Sequence, residues 1–217
     1  MLVFKNGSLS RERVLKEACG GQWDTWAKML ADTKPGNGGS LGFYFHSPEI
    51  TPTTGDKSGV FRFDGDSKEV DAFAGATEVR AVVEGKFLAM RAFAQGIGMD
   101  PSEVKRIIAT GGASANKAIL QVLADVFGVP VFTLDQPDSA SLGAALRAGH
   151  GFRCLGAQGG FLPFADFLTG GRLDYARAAE PIPGAKEVYT ELLPRFVKLQ
   201  DQVLASLGQG SAKRQKT

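Results

Sequence analysis

The sequence is poor in the residues that most often build metal sites, disulfide frameworks and catalytic centres. Its 217 residues include two cysteines and two histidines. Cys19 and Cys154 form neither a metal-ligand spacing nor a disulfide framework, which is typical of a reducing compartment. His46 and His150 have no serine, cysteine or carboxylate companion at a telling spacing. We therefore expect a cytoplasmic protein with no metal ligands and no catalytic residues of its own.

Long apolar runs and a strong charge of either sign are also missing. No segment approaches the roughly 18 continuous apolar residues of a membrane span, and the N-terminal apolar stretch is too short for a secretory signal. Lys and Arg number 25 against 23 Asp and Glu, a net charge of +2. This balance gives no reason to expect a nucleic-acid or membrane partner. The oligomeric state is not predicted.

The spacing of apolar residues predicts an alternation of helices and strands. Apolar residues three or four positions apart predict helices over 8–18, 22–33, 77–97, 115–127, 138–148 and 185–207. β-Branched and aromatic runs predict strands over 2–4, 41–45, 59–64, 104–110 and 129–134. The order strand, helix, strand, helix after residue 104 is typical of a parallel or mixed sheet covered by helices. We predict one α/β domain over residues 1–207 and a flexible basic tail over 208–217.

The first predicted strand, Leu2 to Phe4, begins directly after Met1 and is followed by a predicted tight turn at Asn6-Gly7. A domain rarely begins in the middle of a sheet. The predicted sheet therefore starts abruptly, and the sequence pattern alone does not explain this start.

The stretch IIATGGASANK, residues 107–117, runs from a β-branched segment through two adjacent glycines into a helix. Gly111 and Gly112 remove two Cβ atoms, so a ligand can lie directly against the main chain. Ser114 is predicted to cap the following helix, whose free amides and dipole favour electron-rich groups. Asn116, in the first helical turn, offers both a donor and an acceptor.

Two interpretations of the glycine pair remain open at this point. The glycines either serve a tight strand-to-helix turn or admit a ligand. The G-x-G-x-x-G fingerprint and the G-x-x-x-x-G-K-[ST] loop are both absent from this stretch. Spacing alone therefore does not identify what binds.

Residues 107–149 resemble the adenosine motif and the following connecting motif of the FGGY sugar kinases, within the actin-like ATPase superfamily. The resemblance is carried by Gly-Gly-Ala-Ser at 111–114, Gly-Val-Pro-Val at 128–131 and Ser-Leu-Gly-Ala-Ala at 141–145. Residues 36–52 and 80–91 are similar to the corresponding segments of xylulose kinases. The resemblance implies an actin-like ATPase (ribonuclease H-like) α/β domain, with a mixed sheet flanked by helices.

The resemblance also implies a kinase that uses ATP and Mg²⁺ to phosphorylate D-xylulose. In that family the sugar-binding residues, the Asp that acts as general base and the first phosphate loop lie in an N-terminal domain. This chain resembles the C-terminal domain alone. We therefore expect the chain by itself to phosphorylate nothing. The resemblance implies that the sheet lacks its first strands, since the second phosphate-binding hairpin is expected just before Met1. This loss would leave a strand edge free to pair with another chain.

By resemblance, five residues are expected to bind the nucleotide. Gly111, Gly112 and Ala113 would line the adenine and ribose side of the pocket, and Asn116 would contact the nucleotide from the helix start. Trp23 matches the position of an aromatic side chain near the nucleotide. Alternatively, the Trp23 side chain packs inward together with Trp26.

Other functions stay open on the sequence alone. The chain could be a non-catalytic module that keeps nucleotide affinity or offers only a protein-contact surface. It could also be an incomplete fold with an exposed strand edge. A different sugar or polyol, such as gluconate or glycerol, is possible because the residues that select the sugar lie outside this chain.

Overall fold

The computed structural model describes residues 1–134, 138–156, 160–168 and 175–214, with side chains to residue 208. The helices in these ranges are α1 (Gly7–Cys19), α2 (Trp23–Ala31), α3 (Gly75–Gly96), α4 (Lys117–Phe127), α5 (Ser139–Gly156), α6 (Phe164–Phe167) and α7 (Ala185–Arg214). The strands are β1 (Leu41–Phe45), β2 (Gly59–Phe63), β3 (Ile107–Ala109), β4 (Val131–Leu134) and β5 (Tyr175–Ala179). Within the described residues, none of the helices combines the length and apolarity needed to cross a membrane.

The strands form two small sheets. β1 and β2 make an antiparallel hairpin in which Leu41 lies opposite Phe63. The second sheet has the order β3-β4-β5, with β3 parallel and β5 antiparallel to β4. The predicted strand–helix–strand unit is therefore confirmed as β3-α4-β4, and the sheet is mixed. β5 was not predicted, because three of its five residues are exposed and its sequence lacks apolar alternation.

The prediction of a strand at Leu2 to Phe4 is wrong. These residues have no regular secondary structure, and α1 begins at Gly7 in place of the predicted turn. The Phe4 ring packs edge-on against Phe93, with centroids 6.4 Å apart, and the Lys86 ammonium lies 5.0 Å from the Phe4 centroid. The apolar segment is thus anchored by side-chain packing.

Helix α3 is the centre of the fold, with contacts to α1, α2, α4, α7 and β1. Its main chain lies directly on β1, because a Cβ atom at Gly85 would overlap the carbonyl oxygen of Gly42. Around α3, apolar side chains from all these elements form one continuous core. Its largest fully buried apolar members are Trp26, Tyr189, Phe196, Leu41, Leu88 and Ile119.

α3 also carries charged side chains into this core. The fully buried Glu84 accepts hydrogen bonds through Oε1 from the Gly36 amide (3.1 Å), Arg80 (3.1 Å) and the Tyr189 hydroxyl (2.6 Å). Burial raises the pKa of Glu84 to about 7, against the opposing effects of Arg80 and Tyr189. Because the folded chain holds this proton more tightly, the contribution of Glu84 to stability is complete below pH 4.5 and is lost as the pH rises through about 7.

The last helix closes the core and continues beyond its predicted end at Leu207, since α7 runs to Arg214. Pro194 lies inside α7. Arg91 of α3 joins α7 to α4, donating to the Val126 carbonyl and the Thr190 hydroxyl, both at 2.8 Å. The division into a domain over 1–207 and a tail over 208–217 stays a prediction.

The start of α1 is held by the buried carboxylate of Glu49. Its oxygens accept hydrogen bonds from the backbone amides of Lys5, Asn6 and Ile50, and Lys86 Nζ lies 3.1 Å away. Burial alone would raise the pKa of Glu49, but the three amides and the Lys86 charge outweigh it and hold the pKa at about 2. This carboxylate fixes the entry of the chain into α1.

Glu49→Gln should therefore destabilise the protein by about 3 kcal/mol, because it leaves the Lys86 ammonium buried without a counter-charge. Urea unfolding at pH 7 measures the change. The difference from wild type should be full above pH 4.5 and shrink as the pH falls toward 2. Glu17→Gln, in the exposed Arg13–Glu17 pair, is the matched control and should cost under about 0.5 kcal/mol. Equal effects of the two variants would contradict the role of Glu49.

Candidate functional site

A cleft of about 660 Å³ lies between α1, the start of α2 and the segment that joins β3 to α4. Its volume is within the range of small-molecule sites. The side chains and glycines that line it are Ser8, Arg11, Glu12, Trp23, Thr110, Gly112, Ala113, Ala115, Asn116 and Ile119. Four of the five predicted site residues thus meet in one cleft, and Gly111 is the exception.

The role of Gly111 is conformational. Its φ of 80° and ψ of −175° belong to a region that only glycine occupies readily. This conformation turns the chain from β3 into a short 3₁₀ helix, Gly112–Ala115. A Cβ atom at Gly112 would meet nothing within 4 Å, so the main chain there borders open space.

The residue that caps α4 is Asn116, not Ser114 as predicted. Asn116 Oδ1 accepts a hydrogen bond from the Ile119 amide at 3.1 Å, whereas the Ser114 hydroxyl donates to the Gly111 carbonyl at 2.7 Å. The 3₁₀ turn explains the difference, because it moves the start of α4 to Lys117 and leaves Ser114 inside the turn.

Trp23 lies at the mouth of this cleft and also touches the core. Its ring contacts that of Trp26 edge to face, with centroids 5.6 Å apart. Trp26 is fully buried, whereas 43% of Trp23 is exposed. The Trp23 ring thus packs on Trp26 while its exposed part lines the cleft, and its contact with the nucleotide stays a prediction.

Six cleft residues were not predicted: Thr110, Ala115 and Ile119 beside the predicted ones, and Ser8, Arg11 and Glu12 of α1. The three residues of α1 were missed for a different reason. They read as the polar face of an ordinary helix, and only the tertiary fold brings them next to Gly112. Burial lowers the pKa of the Arg11 guanidinium, and the nearby Glu12 charge opposes this effect. Arg11 Nε is buried and has no hydrogen-bond partner among the described residues.

The described residues form no binding site for the Mg²⁺ that the family resemblance implies. Over the described ranges, no three His, Cys, Asp or Glu side chains come together to hold a metal ion. Glu12 is the one acidic residue that lines the cleft. The residues present do not fit a resident metal.

A second cluster surrounds His150, which is buried among the rings of Phe161, Phe164 and Phe167. Contrary to the sequence expectation, Cys154 is a companion of this histidine, with Sγ 3.5 Å from Nε2. However, Nε2 lies 2.6 Å from the Leu162 carbonyl, which can only accept, so Nε2 must carry the proton. It is therefore not a base for the thiol.

Comparisons with known proteins show the family and the fold of this chain. A family model described as the FGGY family of carbohydrate kinases, C-terminal domain, matches residues 5–152. The chain is 46% identical over 205 residues to the xylulose kinase of Rattus norvegicus, covering 94% of this chain and 37% of that protein. It is 46% identical over 179 residues to xylulose kinase 2 of Arabidopsis thaliana, covering 78% and 32%. The chain thus spans about a third of the length of these relatives.

Among solved structures, the ligand-bound xylulose kinase from Lactobacillus acidophilus superposes with a TM-score of 0.73 at 18% identity. The match covers 95% of this chain and 40% of that one. The xylulose kinase from Rhodospirillum rubrum gives a TM-score of 0.68 over 93% of this chain. These likenesses confirm the predicted actin-like ATPase fold.

Asn116→Ala should cost about 1 kcal/mol of stability, because the Ile119 amide loses its side-chain acceptor. Thermal unfolding measures this as a lower Tm. Ser114→Ala is the control and should lower stability by less than about 0.5 kcal/mol, since its exposed hydroxyl caps no helix. A larger loss of stability in Ser114→Ala than in Asn116→Ala would instead identify Ser114 as the cap of α4.

Proposed function

Since this chain belongs to the FGGY family of carbohydrate kinases, of which it is a C-terminal domain, we propose that it forms the ATP-binding half of a xylulokinase. The intact enzyme would transfer the γ-phosphate of ATP to D-xylulose, giving D-xylulose 5-phosphate. The observation that carries the proposal is the cleft, in which the bare main chain of Gly112 faces open space beside a helix start and an exposed indole.

Each cleft residue has a use in binding a purine nucleotide. The bare main chain at Gly112 and the small side chain of Ala113 let a flat ring approach the backbone within van der Waals distance. The Trp23 indole offers a second flat surface against which a base can stack. Asn116 uses Oδ1 for the helix cap, which leaves its amide nitrogen as a donor to the ligand.

The other requirements of phosphoryl transfer would be met by parts of the enzyme outside this chain. Phosphoryl transfer needs positioning of ATP, a base for the sugar hydroxyl and neutralisation of the phosphate charge, which bound Mg²⁺ supplies in such kinases. The described residues contribute the first of these. Closure of two domains over the cleft would exclude the water that competes with the sugar.

We also propose that the enzyme is cytoplasmic, which the free thiols of Cys19 and Cys154 support. The identity of the sugar rests on the relatives named above, because the residues that select it lie outside this chain. Gluconate or glycerol as the substrate of the intact enzyme would change the reaction product but not the role of this domain.

The proposal predicts that the chain binds ATP and phosphorylates nothing. ATP should raise its Tm and shift the tryptophan emission to the blue. Trp23→Phe should abolish the emission shift, since Trp26 is already fully buried. A coupled assay with D-xylulose should give no turnover above the blank. Absence of any ATP effect on Tm and emission would refute the nucleotide role, and turnover by the chain alone would refute its assignment as half an enzyme.

Gly112→Val should weaken ATP binding at least about tenfold, because the side chain would fill the space that the nucleotide needs. The Tm without ligand should stay close to wild type, as a Cβ atom at Gly112 meets no protein atom within 4 Å. Gly96→Ala is the control, since its Cβ also meets nothing but lies at the end of α3. Isothermal titration calorimetry measures the affinities. Unchanged ATP affinity in Gly112→Val would place the nucleotide elsewhere.

A further inference from the structure

We propose that Arg11 of α1 binds the phosphate chain of the nucleotide, so that the start of α1 forms the phosphate end of the cleft. The inference deepens the nucleotide role proposed above and rests on it. It assigns a ligand contact to a helix that carries none of the residues expected from the sequence.

The guanidinium of Arg11 lacks the partners that such a group requires. It lines the cleft, its Nε is buried, and no described residue accepts a hydrogen bond from that nitrogen. No described carboxylate forms an ion pair with it either. A half-buried cation without an acceptor is costly, and a bound anion would remove that cost.

Other buried or half-buried arginines of the fold donate to protein acceptors, although Arg195 Nε, like Arg11 Nε, is buried without a partner among the described residues. Arg80 donates to Glu84, Arg62 lies 2.6 Å from Glu78, and Arg91 donates to the Val126 carbonyl. On α1 itself, the exposed Arg13 is paired with Glu17 at 2.8 Å. Arg11 differs from these in lining the cleft with no ion pair and no acceptor for its Nε among the described residues. A phosphate group matches a guanidinium fork with two parallel hydrogen bonds.

The start of α1 adds a second favourable feature for an anion. Ser8, in the first turn of this 13-residue helix, also lines the cleft. The first turn contains no acidic residue, and no side chain caps it. The positive end of the helix dipole therefore faces no negative side chain within its own first turn. Glu49 accepts the amides of Lys5 and Asn6, which precede the helix.

Glu12 is the residue that opposes this assignment. It lines the same cleft, and its negative charge would repel a phosphate. Its side chain is exposed, so solvent and salt screen that repulsion. A carboxylate at this place can accept hydrogen bonds from the ribose hydroxyls, which lie between the base and the phosphates.

The test compares ATP with adenosine, which has the same base and sugar but no phosphate. Isothermal titration calorimetry on the full chain should give at least about tenfold weaker ATP binding in Arg11→Gln, with adenosine binding within about twofold of wild type. Arg11→Lys, which keeps the charge but not the fork, should fall between. Arg13→Gln, on the same helix, should match wild type for both ligands. Raising the NaCl concentration should weaken ATP binding less in Arg11→Gln than in wild type.

The outcomes separate this inference from the proposed function. If wild type binds ATP and Arg11→Gln binds it equally well, the phosphate contact is overturned while the nucleotide cleft stands. If Arg11→Gln weakens ATP and adenosine equally at an unchanged Tm, Arg11 contacts the nucleoside and the phosphate assignment falls. If wild type binds neither ligand, both the cleft and Arg11 lose their assignments.

Discussion

The hydrogen bond from Tyr189 to Glu84, 2.6 Å long and fully buried, is the interaction on which the arrangement of the molecule depends. It joins the last helix to the central one, and the same carboxylate oxygen accepts the Gly36 amide and Arg80. A buried carboxylate is tolerated only where donors surround it. The surrounding elements must therefore meet at one point, which fixes α7, α3 and the loop before β1 relative to each other.

The geometry of the cleft depends on the elements that pack around α3 and its Glu84. α3 packs against α1, α2 and α4, and the cleft is lined by residues of these helices and of the segment that joins β3 to α4. Arg91 extends the polar connection to the end of α4 through the Val126 carbonyl. Several residues that line the cleft lie at or near element starts: Ser8 and Arg11 in α1, Trp23 at the first position of α2, and Asn116 at the cap of α4. The helices thus hold in place the segment between β3 and α4, whose main chain borders open space at Gly112.

The sequence predicted the parts of this structure that depend on local periodicity. The strongly periodic helices and the strands β1 and β2 were confirmed, and Gly112 of the glycine pair lines a cleft. The errors occurred where tertiary packing or a local turn overrode the pattern. Phe4 packs against Phe93 although Leu2 to Phe4 form no strand, and a 3₁₀ turn displaced the cap from Ser114 to Asn116. The sequence could not single out Arg11 as a candidate binding residue. What distinguishes this arginine is that it lines the cleft while its buried Nε lacks a hydrogen-bond partner among the described residues, and only the folded structure shows this.

The contact between Gly85 and Gly42 has a consequence for how this fold can change over time. Helix α3 and strand β1 touch through main-chain atoms, so their separation is set by peptide geometry and not by the size of any side chain. Core positions elsewhere can exchange one apolar residue for another of similar volume, but Gly85 has no larger substitute, because any Cβ atom there would overlap the Gly42 carbonyl oxygen. A library of random codons at position 85 would return glycine under any selection that requires a folded chain, and the helix-to-hairpin spacing would persist through divergence that erases the surrounding sequence.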